Sequence, residues 1–271
     1  MRRATLTDSL LLLLLLSASL VSRRAAAQSG ERALPEPRRE GVVIGRDAAA
    51  RDTVVNVAAA VPAPGTVRVS AAGGADRSRE DGALGGVSRT SALWSIGGGV
   101  AAEAGANIHG SGGYPDAALR WHGLRQERAG IDLMTAVRYG TFGTELRTTS
   151  GGQIAAQIAL GRSFGRLQLL GNALVARGLF TRTDVDAFGG AAALVEVVPE
   201  WRIGLDGRAR TEVEDTYKTE EDEGRAVELK GGLLSAHRYG PVYVQILGGW
   251  QVPRGIAAPG PVVLATAMMD F

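Results

Sequence analysis

Trp201-Arg202-Ile203-Gly204-Leu205-Asp206-Gly207-Arg208-Ala209-Arg210-Thr211-Glu212-Val213 is the stretch whose reading decides the fold. Taken in twos, Trp201, Ile203, Leu205, Gly207, Ala209, Thr211 and Val213 fall on one side. Arg202, Gly204, Asp206, Arg208, Arg210 and Glu212 fall on the other. A strand sends successive side chains to opposite faces, so this segment has one apolar wall and one charged wall. A helix would scatter the same charges around its circumference.

The rhythm repeats on both sides of it. Val242, Val244, Ile246, Trp250 and Val252 alternate with Tyr243, Gln245 and Gln251. Ile154, Ile158 and Leu160 oppose Gln153, Gln157 and Ser163; Leu167, Leu169 and Val175 oppose Gln168 and Asn172; Ile131, Leu133 and Val137 oppose Asp132 and Arg138. Fainter, Gly- and Ala-rich segments lie at 66–72, 92–97, 102–109, 117–125, 187–197, 226–236 and 262–271. The sum is about twelve strands. Short connections are expected at Gly98-Gly99, Gln126 to Arg128, Phe164-Gly165, Pro199-Glu200 and Tyr239-Gly240. Longer ones are expected at about 73–89, 110–116, 140–151, 178–184, 214–224 and 253–260. Short and long connections alternate, and an even strand number puts both ends of the barrel sequence on the short-turn side, the pattern of an outer-membrane barrel.

Alternation alone does not say which wall faces out. A soluble β-domain would hide the apolar wall; a membrane barrel would show it to lipid. Gly and Ala on both faces would make a poor dry core, and the polar wall mixes charges of both signs as a lumen does. Ten residues at about 3.3 Å each, tilted near 45°, cover roughly 23 Å, close to the apolar band of such barrels. The expected fold is therefore an all-β, antiparallel, up-and-down transmembrane barrel. The soluble secreted β-domain stays as the alternative.

Met1-Arg2-Arg3, the apolar run from Leu10 to Val21 and Ala25-Ala26-Ala27 read as an export signal over residues 1–27. Residues 28–64 are expected to be a periplasmic linker or small N-terminal segment, with short strands conceivable at Val42 to Ile44 and Val54 to Val57. Pro62-Ala63-Pro64-Gly65 breaks the chain, and the barrel occupies 65–271. The formal charge of +2 does not survive removal of the signal: it takes four Arg and one Asp from 30 basic and 28 acidic residues, leaving about −1. Charge thus gives no reason to expect nucleic acid as a partner. The absence of cysteine excludes disulfides, thiol catalysis and Cys-based zinc sites.

The terminal segment Val262 to Phe271, with Phe271, Met269 and Ala267 at alternate positions, resembles the last strand of Gram-negative outer-membrane β-barrel proteins. That resemblance implies a cell outer-membrane location, contact with outer-membrane lipid and lipopolysaccharide, and recognition by the barrel assembly machinery through Phe271 and Met269. It points to no particular subfamily. Aromatics are only 5 % of the chain, so the interfacial girdles are expected to be sparse: Trp94, Tyr139 and Trp250 outside, and Trp201, Phe164, Tyr239 and Phe271 inside.

By parity the lumen receives Arg68, Glu103, Arg120, Asp132, Arg138, Arg202, Asp206, Arg208, Arg210, Glu212, Glu228 and Lys230. Two readings remain open: a polar lining that sets solute preference, or an interior that satisfies itself with salt bridges. About twelve strands lies between a filled eight-stranded barrel and an open sixteen-stranded channel. His109 and His122 also point inward, at different heights, and His237 falls at a turn; no convergent metal set arises, and no cofactor is expected. Glu214 to Glu223 carries six acids and one Lys, a solvated outer loop more readily than a calcium site. No HExxH, P-loop or GxSxG motif occurs. The expectation is a monomeric, non-enzymatic barrel: a narrow passive pore or structural envelope protein, with a surface-contact barrel acting through its outer loops as the alternative and an outer-membrane hydrolase behind both.

Overall fold

The computed structural model describes residues 51–77, 84–109, 112–140, 153–178, 185–214, 227–253 and 258–271. Twelve strands run in chain order: β1 (Val67–Arg77), β2 (Leu84–Gly97), β3 (Val100–His109), β4 (Gly112–Leu124), β5 (Asp132–Gly140), β6 (Gln153–Phe164), β7 (Leu167–Gly178), β8 (Val185–Val198), β9 (Trp201–Glu214), β10 (Val227–Tyr239), β11 (Val242–Val252) and β12 (Gly260–Asp270). Each pairs antiparallel with its neighbours, and β1 pairs with β12, so the sheet closes on itself. Closure leaves no unpaired edge. Arg68 and Asp270 stand opposite each other across the seam, joined at 2.6 and 2.8 Å.

Exposure alternates with the pleat and settles which wall faces out. In β6, Ile154, Ile158 and Leu160 are exposed while Ala155, Gln157 and Ala159 are buried. In β9, Ile203 and Leu205 are exposed while Arg202, Asp206 and Arg210 are buried. Leu233, in the middle of β10, is 71 % exposed, and its neighbour Leu234 is 1 % exposed. The barrel is inverted relative to a water-soluble one: large apolar side chains outside, ionised groups inside.

The strands reach further than their small-residue sequences announce. β1 and β2 remain paired to Arg77 and Leu84, through a stretch expected to be loop. Gly, Ala and Ser obscure the alternation there, but backbone pairing does not need apolar side chains. Likewise β3 and β4 leave only positions 110–111 between them, whereas the β4–β5 connection, expected to be a bare turn, holds the one-turn helix α1 (Gln126–Ala129). Trp94 pairs with Ala102 four residues before Gly98 of the Gly98-Gly99 turn, so it lies at the short-turn end rather than the long-loop end. Trp121, Phe164, Trp201 and Tyr239 lie near that end too; Tyr139 and Trp250 lie toward the other. His237 is inside β10 opposite Trp201, with its ring against Trp201 and Tyr239, and is not at a turn.

The largest departure concerns residues 51–64. Val54 to Val57 forms no strand and no external patch. The segment rises from the short-turn end into the barrel, turns at Thr53 to Asn56, and returns to Pro62, whose carbonyl accepts from Ser95 Oγ at 2.9 Å. The turn is closed by Thr53 N donating to the Asn56 carbonyl at 2.8 Å and Asn56 N donating to Thr53 Oγ1 at 3.1 Å. Val54 and Val55 pack on Val87, Leu194, Leu234, Leu247, Val262 and Leu264; Ala59 packs on Met134, Ala136, Ala159, Leu170 and Ala192. These are the inward apolar residues of the wall, and the loop is what they contact. Val42 to Ile44 lie outside the described residues.

Candidate functional site

The barrel interior is the candidate site, and two sets of contacts organise it. The first holds the tip of the inserted loop. Asn56 Nδ2 donates to Asp206 Oδ1 at 2.6 Å, to the Gly207 carbonyl at 3.1 Å and to the Ala191 carbonyl at 3.3 Å. Val55 N donates to the other Asp206 oxygen at 3.1 Å. Asn172 Nδ2 donates to the Val57 carbonyl at 3.0 Å, and Gln245 Nε2 to the Asp52 carbonyl at 2.9 Å. A buried carbonyl or amide without a partner costs about 1–3 kcal/mol, so these contacts place the loop in register with the wall. Two glycines admit it. An added Cβ on Gly190 would collide with the Asn56 carboxamide oxygen, and one on Gly161 would lie 2.7 Å from the Ala59 Cβ.

The second set is a cluster of charges on β2 to β5 near the loop's base. Glu103 receives Arg89 at 2.8 Å, Arg120 at 2.6 Å and Arg138 at 3.4 Å. Arg89 also holds Asp116 at 2.9 and 3.1 Å, and Asn107 donates to Asp116 at 2.8 Å. Arg120 then reaches the loop: its Nη1 and Nη2 donate to Asp52 Oδ1 and Oδ2, both at 2.8 Å. Burial pushes the Asp52 carboxyl up, but the Arg120 charge and hydrogen bonds and the Ala58 amide outweigh it, so Asp52 titrates below the usual carboxylate range.

The remaining residues picked out by parity are spread around the wall. Asp132 accepts from the Gln126 amide at 3.0 Å and meets His122 Nε2 at 3.0 Å. Arg202 donates to Gln168 at 3.1 Å, 3.6 Å from Glu196. Arg210 faces Glu228 in register, while its guanidinium grips Asp186 at 3.1 and 2.7 Å. Gln251 donates to Glu228 at 3.3 Å. Arg208 lies over the Phe188 ring and stands opposite the buried Lys230. The side chains of Glu212 and His109, and the acidic stretch 215–223, lie outside the described residues. Glu103, Arg120 and Arg138 of the predicted set converge on one point. Sequence reasoning missed Arg89 and Asp116, which fell within expected loops, and missed Asp52 and Asn56, whose wall partners lie 68 to 193 residues away.

Loop and wall leave a cavity of about 190 Å³, lined by Asp52 to Val57 and by wall residues that include Arg89, Glu103, Arg120, Arg138 and Arg208. Among the described residues no group of His, Cys, Asp and Glu is arranged to hold a metal ion.

The fold is that of outer-membrane channel barrels. A NanC porin aligns with a TM-score of 0.57 at 7 % identity, over 74 % of this chain and 98 % of that one. The COG4313 outer membrane channel of Pseudomonas putida F1 aligns with a TM-score of 0.52 at 11 % identity, over 78 % of this chain and 97 % of that one. No protein-family profile and no curated protein sequence matches the chain.

Proposed function

We propose that this protein is an outer-membrane channel for small polar solutes, and that the described conformation is its closed state. The observation that carries the reading is the inverted barrel: exposed Leu205, Leu229 and Leu233 make a surface suited to lipid, around a wall of buried Arg, Asp and Glu. Charged side chains on the interior wall of a lipid-facing barrel set its selectivity. The two channel structures that share the fold support the same assignment of location and task. An export signal at residues 1–27, assembly through Phe271 and Met269, and monomeric action belong to this proposal. No catalytic role is part of it.

Residues 51–61 are what close it. With the loop seated, residues 52–57 form one side of the cavity described above. Five arginines and three acids, Asp52, Glu103 and Asp116, line that cavity, so the channel favours anions. The test is single-channel recording of the mature chain in planar bilayers. Discrete steps with anion preference, reduced by Arg208→Ala, are expected. No conductance at any voltage, with or without residues 51–61, would favour a structural or surface-contact barrel instead.

A further inference from the structure

We propose that Arg120 is the binding site for the carboxylate of a small anionic solute, which takes the place of Asp52 and so releases the inserted loop. This rests on the channel reading above. Asp52 meets Arg120 fork to fork, each carboxylate oxygen on its own guanidinium nitrogen at 2.8 Å. That is the geometry by which a guanidinium recognises a free carboxylate. The wall fixes the fork independently of the loop: Arg120 Nε and Nη2 are held by Glu103 Oε2 at 3.0 and 2.6 Å, and the side chain is buried. Arg120 therefore points at the same place whether or not Asp52 occupies it.

Charge works in the same direction. Glu103 is shared among Arg89, Arg120 and Arg138 and Asp116 holds Arg89, so two wall carboxylates meet three guanidiniums. Asp52 adds a further negative charge, and it comes from the loop rather than from a strand. The cavity touches Asp52, Arg120, Arg89 and Arg138, and its roughly 190 Å³ has room for a molecule of a few heavy atoms. The loop's other ties to the wall include hydrogen bonds from Asn56, Val55, Asn172, Gln245 and Ser95 and the packing of Val54, Val55 and Ala59, none of them an ion pair. A solute that binds Arg120 only when Asp52 has left shifts the loop toward the withdrawn state by its difference in affinity for the two states.

Planar-bilayer recording of the full mature chain tests this, with potassium acetate as the probe against potassium chloride at equal ionic strength, and acetamide as the uncharged mimic. Acetate is expected to raise the open fraction saturably; chloride and acetamide are not. Asp52→Asn is expected to open the unliganded channel on the order of tenfold more often, from loss of a charge-assisted hydrogen-bonded contact, and to move the acetate response to lower concentration. The chain has no native cysteine, so Ala59→Cys, buried while the loop is seated, reports its release; acetate should speed the reaction of this thiol with a water-soluble reagent. A conducting channel that ignores acetate and opens no more often as Asp52→Asn overturns the proposal while leaving the channel reading intact. Failure of every variant to conduct overturns both.

Discussion

Replacing Leu233 with Arg tests the outward wall where lipid should be deepest. Leu233 is the central residue of the 13-residue β10 and is 71 % exposed. Six residues separate it from either end of the strand; at about 3.3 Å per residue and a tilt near 40°, that is about 15 Å of depth. An arginine on the lipid face costs about 2–4 kcal/mol at mid-depth. Withdrawing the leucine from lipid adds about 1–2 kcal/mol. The expected destabilisation is therefore about 3–6 kcal/mol. Tyr239→Arg, at the short-turn end of the same strand and also exposed, should cost only about 0–1 kcal/mol. The assay is urea unfolding in phospholipid vesicles, followed by gel mobility of unheated samples. In water an exposed substitution changes stability by about 0.5 kcal/mol or less wherever it sits. Equal, small effects at Leu233 and Tyr239 would refute the lipid-facing assignment.

Three further outcomes concern the inserted loop. Gly190→Val drives a side chain into Asn56 and should expose residues 51–61 to protease while leaving the barrel's gel mobility unchanged; continued protection would contradict the packing described. Asn56→Ala removes donors to Asp206, Gly207 and Ala191 and should weaken seating by about 1–3 kcal/mol, read by amide exchange of 51–61; unchanged exchange would show that the tip contacts hold nothing. Seating should also depend on acid. Asp52 titrates lower when docked on Arg120 than when released, near 3.9, so its contribution is complete above about pH 4 and is lost as pH falls through the docked value. Proteolysis followed from pH 7 down to pH 3 should show release only at the acid end; release between pH 6 and 8 would point to a different group.

Strand number and the charged wall were legible because they are written in neighbouring residues. Parity within Trp201 to Val213 alone separates Ile203 and Leu205 from Arg202, Asp206 and Arg210, and the structure puts these on opposite sides of the sheet. Legibility failed where side chains are small: Ser88, Thr90 and Gly86 around Arg89 carry little pattern, so that strand and the Arg89–Asp116 pair read as loop. It failed altogether for the loop inside the barrel. Asp52 and Asn56 sit among Val and Ala between an Arg-rich stretch and two prolines, a composition that reads as linker. Their meaning lies in Arg120, Asp206 and Gly190, and only closure of the barrel brings those within reach. The collision that a Gly190 side chain would make with Asn56 explains why that position is glycine.

Spin labels placed singly along β10 test the central claim most directly, again helped by the absence of native cysteine. At Leu229, Leu233 and Ser235 in vesicles, collision with oxygen should exceed collision with a water-soluble nickel chelate, most of all at Leu233. At Lys230 and Leu234 neither collision should show that bilayer profile. Chelate-dominated collision at Leu233 would mean that this wall faces water, and the account of the molecule as a lipid-embedded barrel would be contradicted.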